Sequence, residues 1–141
     1  MTIWFDMDGT LADLYGVPDW LDKLENNDTT PYEQAKPLLN MQALARVLHR
    51  LQRNGYQIGI ISWTARDGNA EYNQAVATAK ANWLNKHLHS VSFDHLDIID
   101  YGTPKSEGRT GILFDDEQGN RKNWKGITYD VENIIQTLRQ L

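Results

Sequence analysis

Asp6-Met7-Asp8-Gly9-Thr10 places two carboxylates two residues apart, just beyond a short apolar run. They can face one pocket if the chain turns there, and Gly9 permits such a turn. Two close carboxylates repel one another. A divalent cation held by oxygen ligands relieves that repulsion, and magnesium suits an all-oxygen set. A carboxylate beside a bound phosphate can attack phosphorus and form an aspartyl-phosphate. A second can protonate the leaving oxygen and then activate water. Taken alone, the pentapeptide fits a plain acidic turn equally well.

Three further stretches hold residues that would complete such a site. Ser62 closes the run Ile58-Gly59-Ile60-Ile61, where its hydroxyl could meet a phosphoryl oxygen; a serine after a strand is also a common cap or turn residue. Lys105, in Tyr101-Gly102-Thr103-Pro104-Lys105, could neutralise a transferring phosphoryl group. By itself it would read as a solvated surface lysine. Asp115 and Asp116 follow Ile112-Leu113-Phe114 directly, and acids beside a buried strand are costly unless a cation or donors compensate. Asn120 lies four residues beyond Asp116, within reach of the same place or of a helix start. Trp63 and Arg66 follow Ser62: Trp63 could stack on a base or simply pack, and Arg66 could hold a base edge or a second phosphate or equally be a surface residue. Tyr15, Trp20 and Tyr32 could line the same pocket or simply pack. His87, His89 and His95 fall on or after a solvent-facing helix and are given no metal role. Trp4 and Trp124 read as core.

The elements that must position these residues alternate in type. Thr2–Phe5, Tyr56–Ile61, Leu96–Ile99, Ile112–Phe114 and Gly126–Tyr129 read as strands, several almost continuously apolar, as strands buried on both faces should be. Met41, Leu44, Ala45, Leu48 and Leu51 form one helical stripe, stopped by Asn54-Gly55. Tyr72, Ala75, Val76, Ala79 and Trp83 form a second. Val131, Ile134, Ile135 and Leu138 form a third, with Asp130 as the expected N-cap. This alternation predicts one α/β domain over residues 1–141, a three-layer α/β/α sandwich around a mainly parallel five-stranded Rossmann-like sheet. Residues 12–37 break the rhythm with three of the four prolines and several aromatics. They read as a small, partly helical insertion, with Leu14–Leu24 making a short helix or two. Ligands of open parallel sheets bind beyond the carboxyl ends of the strands. Asp6, Ser62 and Asp115 are therefore expected at one edge.

The composition narrows the chemistry. The 141 residues are 40% hydrophobic and 23% charged, ordinary for one globular domain. There is no cysteine, so disulfides and thiolate metal sites are excluded. A formal charge of -5 disfavours extended nucleic-acid binding but not one small phosphate. No apolar stretch reaches the ~20 residues that span a bilayer. With no signal-peptide pattern at the start, a cytoplasmic location is expected.

Together the motifs resemble those of the haloacid dehalogenase superfamily. Asp6-Met7-Asp8-Gly9-Thr10-Leu11 looks like its first motif, Ser62 its second, Lys105 its third and Asp115-Asp116 its fourth. The resemblance implies that Asp6 is the nucleophile and a magnesium ligand. It makes Asp8 the general acid/base, with its backbone carbonyl on the metal. Ser62 and Lys105 would bind the phosphoryl group, with Thr10 supporting the loop. Asp115 and Asp116 would complete the metal site. The acid at position 8 favours phosphatase members. The insertion is similar to a reduced form of the helical cap of 5'-deoxyribonucleotidases, whose first motif also continues into a stretch like Leu11-Ala12-Asp13. The expected function is magnesium-dependent hydrolysis of a small phosphomonoester, a nucleotide foremost. A nucleotide-sequestering protein on the same scaffold and a phosphatase for polynucleotide ends or phosphoproteins are the alternatives.

Overall fold

The computed structural model describes residues 1–141. Five strands form an all-parallel sheet: β1 (Thr2–Phe5), β4 (Gln57–Trp63), β5 (His95–Ile99), β6 (Gly111–Phe114) and β7 (Gly126–Tyr129), ordered β5-β4-β1-β6-β7. The chain runs outward from β1 through β4 to β5, then crosses back to β6 on the other side of β1. The reversal leaves a crevice at the carboxyl end of β1, the ordinary ligand position in such sheets.

Side-chain alternation sorts the core. Ile3, Phe5, Ile58, Ile60, Ile112 and Phe114 belong to one apolar cluster. It includes Leu44, Leu48 and Leu51 of α3 (Met41–Arg53), Trp83 and Leu84 of α4 (Ala70–His87), and Ile134 and Leu138 of α6 (Ile134–Arg139). Trp4, Ile61 and Leu113 face the other way and pack with Trp124, which follows α5 (Gln118–Asn123). Trp4 and Trp124 are thus core, and their indole N–H groups donate to the Thr110 and Gly111 carbonyls at 3.0 Å each. Burying a large apolar side chain is worth roughly 1.5–3 kcal/mol, so each face contributes in proportion to its cluster.

Residues 12–37 leave the domain through β2 (Ala12–Asp13) and return through β3 (Lys36–Pro37), an antiparallel pair with Ala12 opposite Pro37. Between them lie a 3₁₀ turn over Leu14–Gly16, α1 (Trp20–Glu25) and α2 (Thr30–Gln34). Leu14 and Tyr32 pack on Tyr72, Val76 and Ala79 of α4. The Tyr72 hydroxyl donates to the Asp28 carbonyl at 2.8 Å, and Trp83 Nε1 donates to the Ala35 carbonyl at 2.8 Å. The insertion is therefore tied to α4 by apolar packing and by two hydrogen bonds.

Two expectations need correction. The last helix begins at Ile134 rather than near Val131, because Asn133 has φ -137, outside the helical region. Asp130 instead accepts a bond from the Val131 amide at 2.7 Å, within the turn before the helix. His95 lies on β5 and stacks on Trp4 with ring centroids 5.0 Å apart, because the strand begins one residue earlier than its apolar run.

Candidate active site

The turn after β1 is built for close approach. Met7 is buried, and its carbonyl accepts bonds from the Thr10, Leu11 and Ala12 amides. Gly9 has φ 79, and a Cβ there would collide with the Asp116 carboxylate. Only glycine satisfies both the backbone and the space. The register then brings the acids together: Phe5 pairs with Phe114, and the Asp6 amide donates to the Phe114 carbonyl at 3.0 Å. Asp6 and Asp115 thus follow paired positions on adjacent strands.

Asp6, Asp115 and Asp116 each offer a carboxylate oxygen within 4.8 Å of the others. Burial, with Asp6 nearby, pushes Asp115 up to about 6. Burial and contact with Asp6 push Asp116 up to about 8. Carboxylates crowded in this way favour a cation among them, and the all-oxygen set fits a hard divalent ion. The Thr10 hydroxyl is within 3.1 Å of Asp6 Oδ2 and 3.4 Å of Asp116 Oδ1. Thr10 therefore braces the cluster from behind.

Lys105 spans two of these acids, 2.9 Å from Asp6 Oδ1 and 2.8 Å from Asp115 Oδ2. Burial lowers its proton affinity, but the two carboxylates outweigh that and the net shift is upward. Two of its three N–H donors are occupied, leaving one for a ligand. Its ammonium also sits 5.1 Å from the centre of the Trp63 ring. Asn120 donates to Asp115 Oδ2 at 3.1 Å, returning from α5 to the site.

The carboxylate of Asp8 stands outside this cluster. It pairs with Lys80, whose Nζ is 2.9 Å from Asp8 Oδ2, 2.8 Å from Ser62 Oγ and 2.6 Å from the Trp63 carbonyl. Burial raises the proton affinity of Asp8, with Lys80 opposing and Asp6 adding to the rise. Lys80 does not stand out in the sequence, because a lysine in a helix is ordinarily solvated. Its one signal is its place on the apolar stripe of α4, four residues after Val76 and three before Trp83.

A cavity of about 540 Å³ opens above these groups, within the ordinary range for small-molecule sites. Of the residues expected at the site, Asp6, Asp8, Trp63, Arg66 and Lys105 form its wall. Thr10, Ser62, Asp115 and Asp116 lie behind the wall, joined to it by the contacts above. Tyr15, Trp20 and Tyr32 line the side contributed by the insertion, where Tyr15 and Trp20 meet edge to face at 5.0 Å. Trp63 and Tyr101 also line the cavity and lie 4.9 Å apart, with the exposed Arg66 guanidinium 6.0 Å from the Tyr101 ring centre. Thr64, not expected from the sequence, is also on the wall, and its Oγ1 is buried without a hydrogen-bond partner.

No helix is long and apolar enough to cross a membrane. No family model matches the chain, and no curated protein matches it. Among solved structures, the D,D-heptose 1,7-bisphosphate phosphatase from Burkholderia thailandensis superposes with a TM-score of 0.50 at 10% identity. The match covers 99% of this chain and 96% of that one. At that identity the likeness is one of fold: this chain has the α/β architecture of that phosphatase along nearly its whole length.

Proposed function

We propose that this protein is a magnesium-dependent phosphomonoesterase for a small substrate, a nucleotide foremost. The observation that carries the reading is the clustering of Asp115 and Asp116 with Asp6 and Lys105, which reach the wall of one cavity, with the Asp8 carboxylate held apart from them. Asp6, Asp115 and Asp116 would hold the magnesium ion, joined by the Asp8 backbone carbonyl. Bound there, the ion offsets negative charge on the phosphoryl oxygens.

The residues of the chain do the rest. Asp6 attacks phosphorus and forms an aspartyl-phosphate, while Asp8 protonates the leaving oxygen. Asp8 then takes a proton from the water that hydrolyses the intermediate. Lys105 offers its free N–H to the phosphoryl oxygens, and Ser62 supports the same group from the end of β4. The 12–37 insertion acts as a cap over the cavity. Its Tyr15 and Trp20, with Trp63 and Tyr101 of the same lining, suit a flat base, and Arg66 suits the polar edge of one. This is what favours a nucleotide over a sugar phosphate.

The test is phosphate release from a panel of phosphorylated metabolites with and without magnesium. Nucleoside monophosphates should be turned over, magnesium should be required, and Asp6→Asn should abolish release. Full activity in Asp6→Asn, or no turnover across the panel, would defeat the proposal.

A further inference from the structure

Lys80 lies behind the charged groups that line the cavity and is not itself on the wall. Its side chain is 1% exposed, and it reaches the site from α4 rather than from a strand end. An ammonium has three donors, and all three are occupied here, by Asp8 Oδ2, Ser62 Oγ and the Trp63 carbonyl. It can therefore bind a phosphoryl oxygen only by releasing one of these partners, unlike Lys105. A fourth contact closes the arrangement: the ring of Tyr32, from the insertion, lies 5.1 Å from Lys80 Nζ. Burying an ammonium this deeply is costly unless every donor is satisfied. What the arrangement achieves is geometric. It holds the Asp8 carboxylate by Oδ2, away from the Asp6, Asp115 and Asp116 cluster, and leaves Oδ1 free. It also occupies a lone pair of Ser62 Oγ, so that the hydroxyl proton must point elsewhere.

We propose that Lys80 is a positioning residue for proton transfer: it fixes Asp8 so that Oδ1 meets the leaving oxygen, and binds no phosphate itself. The inference rests on the phosphatase reading above. In the first step Asp6 forms a bond to phosphorus, the ester P–O bond breaks, and the leaving oxygen takes the proton of Asp8. In the second, water forms the new bond to phosphorus and gives a proton to Asp8, and Asp6 departs as carboxylate. Lys80 keeps its proton throughout.

A leaving-group comparison isolates this role. An alkyl monophosphate needs the proton from Asp8, whereas p-nitrophenyl phosphate loses a stable phenolate and needs it little. In Lys80→Met, kcat/KM should fall about 100-fold for the alkyl ester and less than about tenfold for p-nitrophenyl phosphate. Inhibition by orthophosphate should be unchanged. Equal losses on both esters, or weakened orthophosphate inhibition, would overturn the role and make Lys80 a phosphate ligand or a purely structural group. Because Lys80→Met leaves Asp8 unpaired, Asp8→Asn and Asp8→Asn/Lys80→Met form a second comparison in which that charge is gone. The double variant should match Asp8→Asn on the alkyl ester, and a further tenfold loss would overturn the proposal. Asp6-dependent turnover of p-nitrophenyl phosphate tests the phosphatase reading separately. A wild-type chain inert toward every ester overturns that reading and the role of Lys80 with it.

Discussion

Two buried lysines serve three carboxylates in this molecule, and they do so differently. Lys105 sits between Asp6 and Asp115, on the cavity wall, with one donor left over. Lys80 sits behind Asp8 with no donor left over. The first is placed to meet something that arrives; the second is placed to keep something still. Both ammonium groups contact aromatic rings, Trp63 for Lys105 and Tyr32 for Lys80. One ring belongs to the sheet edge and the other to the insertion. The contrast shows how a lysine is given a role by the number of partners already around it.

The largest effect should come from the Lys105 side. Lys105→Ala removes the counter-ion of two buried acids and, on the proposed function, a ligand for the phosphoryl group. The kcat should fall about 10²–10³-fold, and stability in metal-free buffer should drop by about 3–5 kcal/mol. Steady-state assays and urea unfolding measure the two separately. A variant that keeps full kcat would collapse the distinction between the two lysines.

Next in size is Gly9→Ala, which forces a Cβ against Asp116 from a left-handed backbone position. A loss of about 1–3 kcal/mol in unfolding free energy is expected, together with weaker stabilisation by magnesium. Unchanged melting would show that the turn accommodates a side chain.

The carboxylate cluster makes a comparable prediction in pH. Asp115 and Asp116 are raised to about 6 and about 8 when folded. Their contribution to stability is therefore fully present below the unfolded value near about 3.9. It is lost as pH rises through about 6 and about 8. Metal-free protein should lose melting temperature between about pH 4 and pH 8. Saturating magnesium should flatten that slope and stabilise by about 2.7 kcal/mol at a hundredfold excess over Kd. A chelator-treated sample with a flat profile would contradict the clustering.

The smallest effect belongs to the cavity mouth. Trp63→Ala should raise KM for a nucleotide about tenfold, the value of one lost stacking contact, with a smaller change for p-nitrophenyl phosphate. Equal changes for both would remove the argument for a base stacked in this aromatic lining.

Much of the fold is legible in the sequence because its signals are local. Runs such as Ile58–Ile61 and Ile112–Phe114 are too apolar to be anything but buried, and Asn54-Gly55 marks where α3 must stop. The two-residue strands β2 and β3 are not legible, since two residues carry no periodicity; they exist because Ala12 and Pro37 are brought opposite one another. The start of α6 is misleading because Val131 continues the apolar stripe, while the backbone at Asn133 does not continue the helix. Within the site, Asp6, Asp8, Ser62, Lys105 and Asp115 can be found because each stands next to a strand or turn signal. Lys80 and Thr64 are far harder to find: the one signal for Lys80 is its place on the apolar stripe of α4, and a threonine such as Thr64 just past a strand reads as an ordinary turn residue.

The sequence by itself determined the parallel α/β order, the lack of cysteine chemistry and the acids at the ends of the first and fourth sheet strands in chain order. These follow from residue type and spacing, which act over a few positions. Only the tertiary structure decided which acids meet and which lysine each receives. That choice depends on strand order and on one face of α4, where Lys80 comes to rest against Asp8, 72 positions away along the chain. A chain can display such a pair in its sequence only as two unrelated letters; packing makes it an interaction.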